Sequence, residues 1–175
     1  MENAAPLLKS HDLMARLRPE HIQKLASAAR VRSLVPGEAI CREGLPATAF
    51  FLLVEGNGRV TRTGPDGKQQ ILGLVRPGSL FGLVGIGDRA PRPVTVASTG
   101  PGILLEIPAN LLSGDARSVE GHFVIALREI VALALDLQMR AANQQLLMRA
   151  DELAERSVDN EWEAGTQGGW KQPEA

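Results

Sequence analysis

Between Val31 and Pro108 every apolar run is short and ends on or beside a glycine or proline. Along the chain these runs are VRSLV, PGEAICREG, AFFLLVEG, GRVTRT, QQILGLV, RPGSLFG, RPVTVAS and ILLEIP. Runs of this length, rich in β-branched and aromatic residues and punctuated so evenly, predict strands of an antiparallel sandwich, jelly roll or barrel rather than a parallel α/β sheet. Gly64-Pro65-Asp66-Gly67 offers proline where φ is preset and glycine where a positive φ costs little. It is expected to close a hairpin between GRVTRT and QQILGLV.

The flanks are helical in texture. In HDLMARLRPEHIQKLASAARVRSL, Leu13 and Leu17, then Ile22, Leu25 and Ala26, stand at helical spacings with a break near Pro19, so two short helices are expected within segment 1–30. After the β-rich segment 31–115, residues 119–156 contain no proline and only one glycine, Gly121, which predicts one long helix over 116–156. Phe123, Leu127, Ile130, Ala134, Leu137, Ala141, Gln144 and Met148 recur in alternating steps of four and three. This is a heptad seam with one polar member, and at 1.5 Å per residue it extends about 38 Å. A single small domain does not need so long a stripe to cover its sheet. The apolar members of the seam are therefore expected to form a homodimer interface, while a second stripe, Ile130, Leu133 and Leu137, covers the chain's own β body.

Segment 157–175, SVDNEWEAGTQGGWKQPEA, is acidic and aperiodic and is expected to be a disordered tail. It holds both tryptophans, Trp162 and Trp170. These side chains serve either as anchors for a protein partner, the favoured reading, or as an apolar lid folded back on the β body.

The formal net charge of −1 hides an asymmetry: residues 1–150 carry 17 Lys/Arg against 13 Asp/Glu, and residues 151–175 carry 2 against 7. A mildly basic body lacks the concentrated stripe that duplex DNA requires, so no direct nucleic-acid partner is expected. The most apolar run, Phe123 to Met139, is interrupted by Arg128, Glu129 and Asp136, so no membrane span is expected. The N-terminus lacks a secretory layout, and a cytoplasmic location is expected. The single cysteine, Cys41, reads as a small strand residue and excludes an internal disulfide. His11, His21 and His122 fall in different elements without metal-ligand spacing and read as polar residues of the surface or of helix ends. No metal site is expected, and no nucleophile motif points to an enzyme.

The order of elements, with Gly37, Gly44, Gly56, Gly67, Gly78 and Gly82 at successive strand ends, resembles the cyclic-nucleotide-binding domain of the CRP/FNR regulator superfamily over about residues 10–150. That resemblance implies an α+β fold: an antiparallel β-roll of jelly-roll type with short N-terminal helices and a long C-terminal dimerisation helix. It implies a cyclic phosphate held by backbone amides of a short helix and by an arginine. The family cassette reads approximately F-G-E-hydrophobic-A-L, a spacer, then P-R-S/T-A. Here Phe81 and Gly82 match, as do Pro91 and Arg92, and VTV supplies the following strand.

The family's ribose-binding glutamate falls on Leu83, and its phosphate-supporting Ser or Thr falls on Pro93. Leucine cannot accept a hydrogen bond, and proline has neither hydroxyl nor N–H. Each lost contact is worth about 1–3 kcal/mol, together roughly a 30-fold to 10⁴-fold loss of affinity.

The degenerate cassette is thus Gly82, Leu83, Val84, Gly85, Arg92 and Pro93, with any cAMP or cGMP expected to bind weakly. In the competing reading the site is empty and Arg92 pairs with Asp88 or another surface carboxylate. Winged helix-turn-helix domains follow the long helix in gene regulators of this family, whereas here an acidic tail of about 20 residues follows it. The long helix also has no Ser or Thr between Ser118 and Ser157 with which to meet an adenine. The expected function is that of a dimeric, non-enzymatic ligand sensor, the alternative being a ligand-free dimeric adaptor that presents the tryptophan tail.

Overall fold

A computed structural model describes residues 4–118 and 121–167, with side chains up to Asp151 and at Leu153. Two units are distinguished, Met1–Ala134 and Leu135–Ala175. The first contains helices α1 (Ala4–Lys9) and α2 (Pro19–Ala28), and strands β1 (Arg30–Leu34), β2 (Ala39–Cys41), β3 (Ala49–Glu55) and β4 (Gly58–Thr63). It continues through β5 (Gln69–Val75), β6 (Leu80–Phe81), β7 (Thr95–Ser98), β8 (Gly102–Pro108) and the first turns of α3 (Gly121–Gln167).

The eight strands form two four-stranded sheets in the orders β1-β8-β3-β6 and β2-β7-β4-β5, with every pairing antiparallel. This is the expected β-roll. Each of the eight apolar runs read from the sequence contributes one strand. The hairpin also closes as expected: Gly67 N donates to Gly64 O at 2.9 Å, and Gly67 takes φ +75°, a conformation that glycine reaches without a Cβ clash. The other five glycines of the succession likewise have positive φ, as strand ends that turn sharply require.

In β3 the five residues Ala49 to Leu53 are all buried, because this strand has one face toward each layer of the domain. Phe51 and Leu53 join Leu34, Ile40, Val75, Phe81, Val96 and Leu104 in the cluster between the sheets. By strand alternation Phe50 and Leu52 face the opposite way. They share that face with the buried Leu105 and Ile107 of β8, the strand that α2 touches.

At the N-terminus the first helix lies over Ala4–Lys9, ahead of the expected stretch, and Leu13 to Leu17 holds only the 3-10 turn Met14–Arg16. Pro19 does not break a helix. It begins α2 at the position where a missing N–H costs nothing.

Phe123, Val124, Leu127, Ile130, Val131 and Ala134 of α3 are buried in the first unit. That corrects the expected body-facing stripe: Leu133 is 38% and Leu137 54% exposed, so only Ile130 of that trio is inside. In the second unit α3 exposes Leu137, Met139, Leu146, Leu147, Met148 and Leu153. The helical backbone runs to Gln167, into the segment expected as tail, where 157–164 holds neither glycine nor proline. The side chain of Trp162 and the whole of Trp170 lie outside the described residues. Among the described residues no helix is long and apolar enough to cross a membrane.

Candidate ligand site in the β-roll

The cassette leaves β6 at Phe81 and returns to β7 at Thr95. Residues 84–89 between them form turns rather than the short helix that the resemblance implied, with Gly85 at φ 76° and Arg89 at φ 58°. Left-handed conformations at these two positions break the run of aligned amides that a helix would offer. Leu83 and Ile86 are buried at 2% and 8% exposure, so the residue standing where the family has its glutamate is a core residue. Val84 and Pro93 are exposed.

The end of the cassette is sewn to the loop before β3. Arg92 N donates to Leu45 O at 2.8 Å, Gly44 N to Arg92 O at 2.9 Å and Ala47 N to Ala90 O at 3.2 Å. With both backbone polar groups held, the Arg92 side chain is directed inward, and only 5% of the residue is exposed. Its guanidinium donates from Nη1 to Gly82 O at 2.6 Å and from Nη2 to Ala49 O. It stands 5.5 Å from the centroid of the Phe51 ring, which in turn stacks on Phe81 at 5.2 Å. Gly82 makes this approach possible. At φ +71°, a Cβ there would lie 2.9 Å from Phe51 Cδ2 and 3.0 Å from Arg92 Nη1.

Arg92 therefore does not pair with Asp88, contrary to the competing sequence reading: Asp88 Oδ1 instead accepts from Ala90 N at 3.1 Å, closing a local turn. Among the described residues Arg92 has no carboxylate partner, only two carbonyls and a ring. Burial draws its pKa below the ordinary value, an effect that nearby Cys41 partly opposes. The Cys41 thiol is pushed up by desolvation, Arg92 offsetting this only in part. A thiol in that state is protonated at neutral pH and a poor nucleophile. A guanidinium has five donors, so two carbonyl contacts leave capacity for an anion arriving through the cassette. Among the described residues no three His, Cys, Asp or Glu side chains could hold a metal ion.

Of the cassette residues expected from the sequence, the structure thus brings Gly82, Leu83 and Arg92 against the core and leaves Val84 and Pro93 at the surface. Of the seam, Phe123, Leu127, Ile130 and Ala134 lie inside the first unit, whereas Leu137, Ala141 and Met148 are exposed. His21 stands at a helix end, in the first turn of α2, but sequence reasoning missed its burial: it is 6% exposed and edge-on to Phe123 with ring centroids 5.6 Å apart. Its i, i+4 spacing from Leu17 and Leu25 was the available signal.

The model of the cyclic nucleotide-binding domain family matches residues 31–114. A cAMP-dependent protein kinase regulatory subunit of Mycosarcoma maydis is 32% identical over 88 residues, half of this chain but 17% of that protein. A CRP-like cAMP-activated global transcriptional regulator of Mycobacterium tuberculosis is 29% identical over 76 residues, 41% of this chain and 34% of its own length. The chain thus spans between about a sixth and about a third of the length of these curated relatives. Among solved structures, the sensor domain of the transcriptional regulator DNR from Pseudomonas aeruginosa superposes with a TM-score of 0.58 at 26% identity, covering 84% of this chain and 91% of that one.

Proposed function

Since residues 31–114 belong to the cyclic nucleotide-binding domain family, we propose that the chain is a dimeric regulatory module whose β-roll has a degenerate cassette and binds cAMP or cGMP weakly. The observation that carries this reading is the setting of Arg92: the family's arginine is present and buried, yet no carboxylate stands beside it, among the described residues, to accept from a ribose hydroxyl. Leu83 is packed in the core and Pro93 has nothing to donate, so a cyclic nucleotide would meet one cation where the family supplies a set of contacts. Dimerisation rests on the exposed Leu137, Ala141 and Met148, with Leu146, Leu147 and Leu153 available beside them. This is a shorter interface than the whole seam.

Calorimetric titration with cAMP and cGMP tests the reading. Affinities weaker than tens of micromolar are expected, and binding at or below about 1 μM would overturn the degenerate cassette. Pro93→Ser with Leu83→Glu is expected to tighten cAMP binding, provided that far-UV circular dichroism shows the Leu83→Glu chain still folded. The buried Leu83 and Ile86 also favour a second reading, a ligand-free dimeric adaptor working through a protein partner of segment 157–175. Full-length chain that binds no cyclic nucleotide at millimolar concentration, yet remains a dimer, would decide for the adaptor.

A further inference from the structure

Outside the β-roll, a cavity of about 280 Å³ opens between the N-terminal helical layer and the first turns of α3. Arg16, Arg18, His21 and His122 line it, and Leu17, Ile125 and Ala126 supply an apolar wall. We propose that this cavity is a second ligand site, a seat for a phosphate-sized oxyanion held by Arg16, Arg18 and His122 at the amino end of α2.

Four observations converge on that assignment. First, the side chains of Arg16 and His122 have no ion pair or hydrogen bond among the described residues, so their donors are available. Second, α2 has no side-chain cap at Arg18; Pro19 has no N–H and Ile22 N bonds Arg18 O, which leaves the amides of Glu20 and His21 without intrahelical acceptors, an arrangement that favours an anion. Third, His21 is buried beside the cavity and acts on Arg18. Arginine can only donate, so the 2.8 Å contact between Arg18 Nη2 and His21 Nε2 fixes His21 as the neutral Nδ1–H tautomer. That Nδ1 is buried without a partner, an unusual state for a polar atom and one expected at a binding site.

Desolvation first, and then Arg18, lower the His21 pKa, so the ring stays neutral and acts as a positioning residue for the Arg18 guanidinium. His122 and Lys24 add repulsion of the same sign, and only Glu20 opposes it. Fourth, the carboxylate that pairs with Arg18 is weakly held. Glu20 reaches Arg18 at 2.9 Å, but both side chains are more than half exposed, and such a pair is weak and easily displaced. Glu129 also lines the cavity, and its charge opposes an anion bound there.

Inorganic phosphate is the probe. Added to the full chain in a chloride buffer, it is expected to shift the NMR signals of the Arg16 and Arg18 side chains and the His122 ring saturably at millimolar concentration. Arg16→Ala is expected to weaken binding about tenfold or more. Glu129→Gln is expected to tighten it, a gain that loss of structure cannot imitate. Arg59→Ala, an exposed arginine on β4 remote in sequence from the cavity, serves as the control for diffuse charge and is expected to change nothing. Arg16 and Glu129 are both exposed, so neither variant threatens the fold. The proposal is overturned if those signals do not move at tens of millimolar phosphate. It is equally overturned if Arg59→Ala weakens binding as much as Arg16→Ala, or if Glu129→Gln leaves the affinity unchanged.

Discussion

Replacing Arg92 by alanine tests whether this buried cation holds the cassette in place without a ligand. The change removes donors to Gly82 O and Ala49 O, and bonds from charged donors contribute about 1.5–3 kcal/mol each. It also removes the guanidinium from the Phe51 ring, an interaction worth about 0.5–2 kcal/mol. Against these losses, the folded state no longer bears the desolvation of a charge with no carboxylate partner, several kcal/mol by general experience. The expected net loss is about 3 kcal/mol, because two carbonyls are left unpaired at a site that water reaches poorly.

For a chain of this length that loss corresponds to a fall in Tm of roughly 6–12 °C. Both tryptophans lie beyond the β-roll, so urea unfolding is followed by far-UV circular dichroism rather than fluorescence, and the midpoint should fall with an unchanged slope. Arg92→Lys retains the charge but cannot span two carbonyls and cover the ring, so it is expected to fall between wild type and alanine. A loss below about 0.5 kcal/mol for Arg92→Ala would refute the reasoning, since the inward contacts would then be incidental and the arginine free to serve a ligand alone.

Gly82→Ala is expected to cost about 1–2 kcal/mol for the left-handed φ alone. The displacement of Phe51 or Arg92 adds to that, and chemical denaturation measures the sum. Leu127 has no exposure and Leu137 has 54%: Leu127→Glu is expected to abolish folding, whereas Leu137→Glu should leave circular dichroism intact and convert a sedimenting dimer to monomer. A wild type already monomeric at tens of micromolar would sink the dimer. Arg32 bonds Glu38 at 2.6 Å and Glu106 at 2.7 Å, and the Arg32 hydrogen bond, then the Val35 amide, hold Glu38 below the usual carboxylate range. With its folded pKa depressed, Glu38 contributes stability that is present above the ordinary glutamate pKa and lost as pH falls through the lowered one. Tm measured against pH should therefore fall more steeply in acid for wild type than for Glu38→Gln, and parallel curves would refute the linkage.

The β-roll was legible because its information is local. Glycine and proline at strand ends fix where the chain must turn, and short β-branched runs between them leave few alternatives to an antiparallel roll. The cassette was legible as chemistry but not as geometry. That Leu83 and Pro93 cannot replace a carboxylate and a hydroxyl follows from residue type alone. That Arg92 would turn to the carbonyls of Gly82 and Ala49 does not, because any residue supplies a carbonyl and Ala49 stands 43 positions away in sequence. The His21 cavity was hidden for a similar reason. Histidine fits a surface or a core equally well in the sequence, and only the approach of Phe123 from α3 decides between them.

The long helix shows the same limit from another side. A heptad seam states that one face is apolar for its whole length, but it carries no mark of where one covering partner gives way to the next. Here the change falls at Ala134: the four seam positions up to it are at most 4% exposed, while Leu137 and Met148 are exposed at 54% and 65%. The inner half is supplemented by Val124 and Val131, which lie off the seam and widen the buried stripe to the breadth that covering a globular body requires. Past Ala134 the apolar residues off the seam, Met139, Leu146 and Leu147, are exposed together with Leu137 and Met148, and Asp136 and Arg140 form an exposed i, i+4 pair at 2.8 Å. An interface between chains confined to Leu137 onward would leave the β-roll fold of each copy independent of pairing, so that loss of the dimer by Leu137→Glu would leave the protection of β3 and β8 against hydrogen exchange intact.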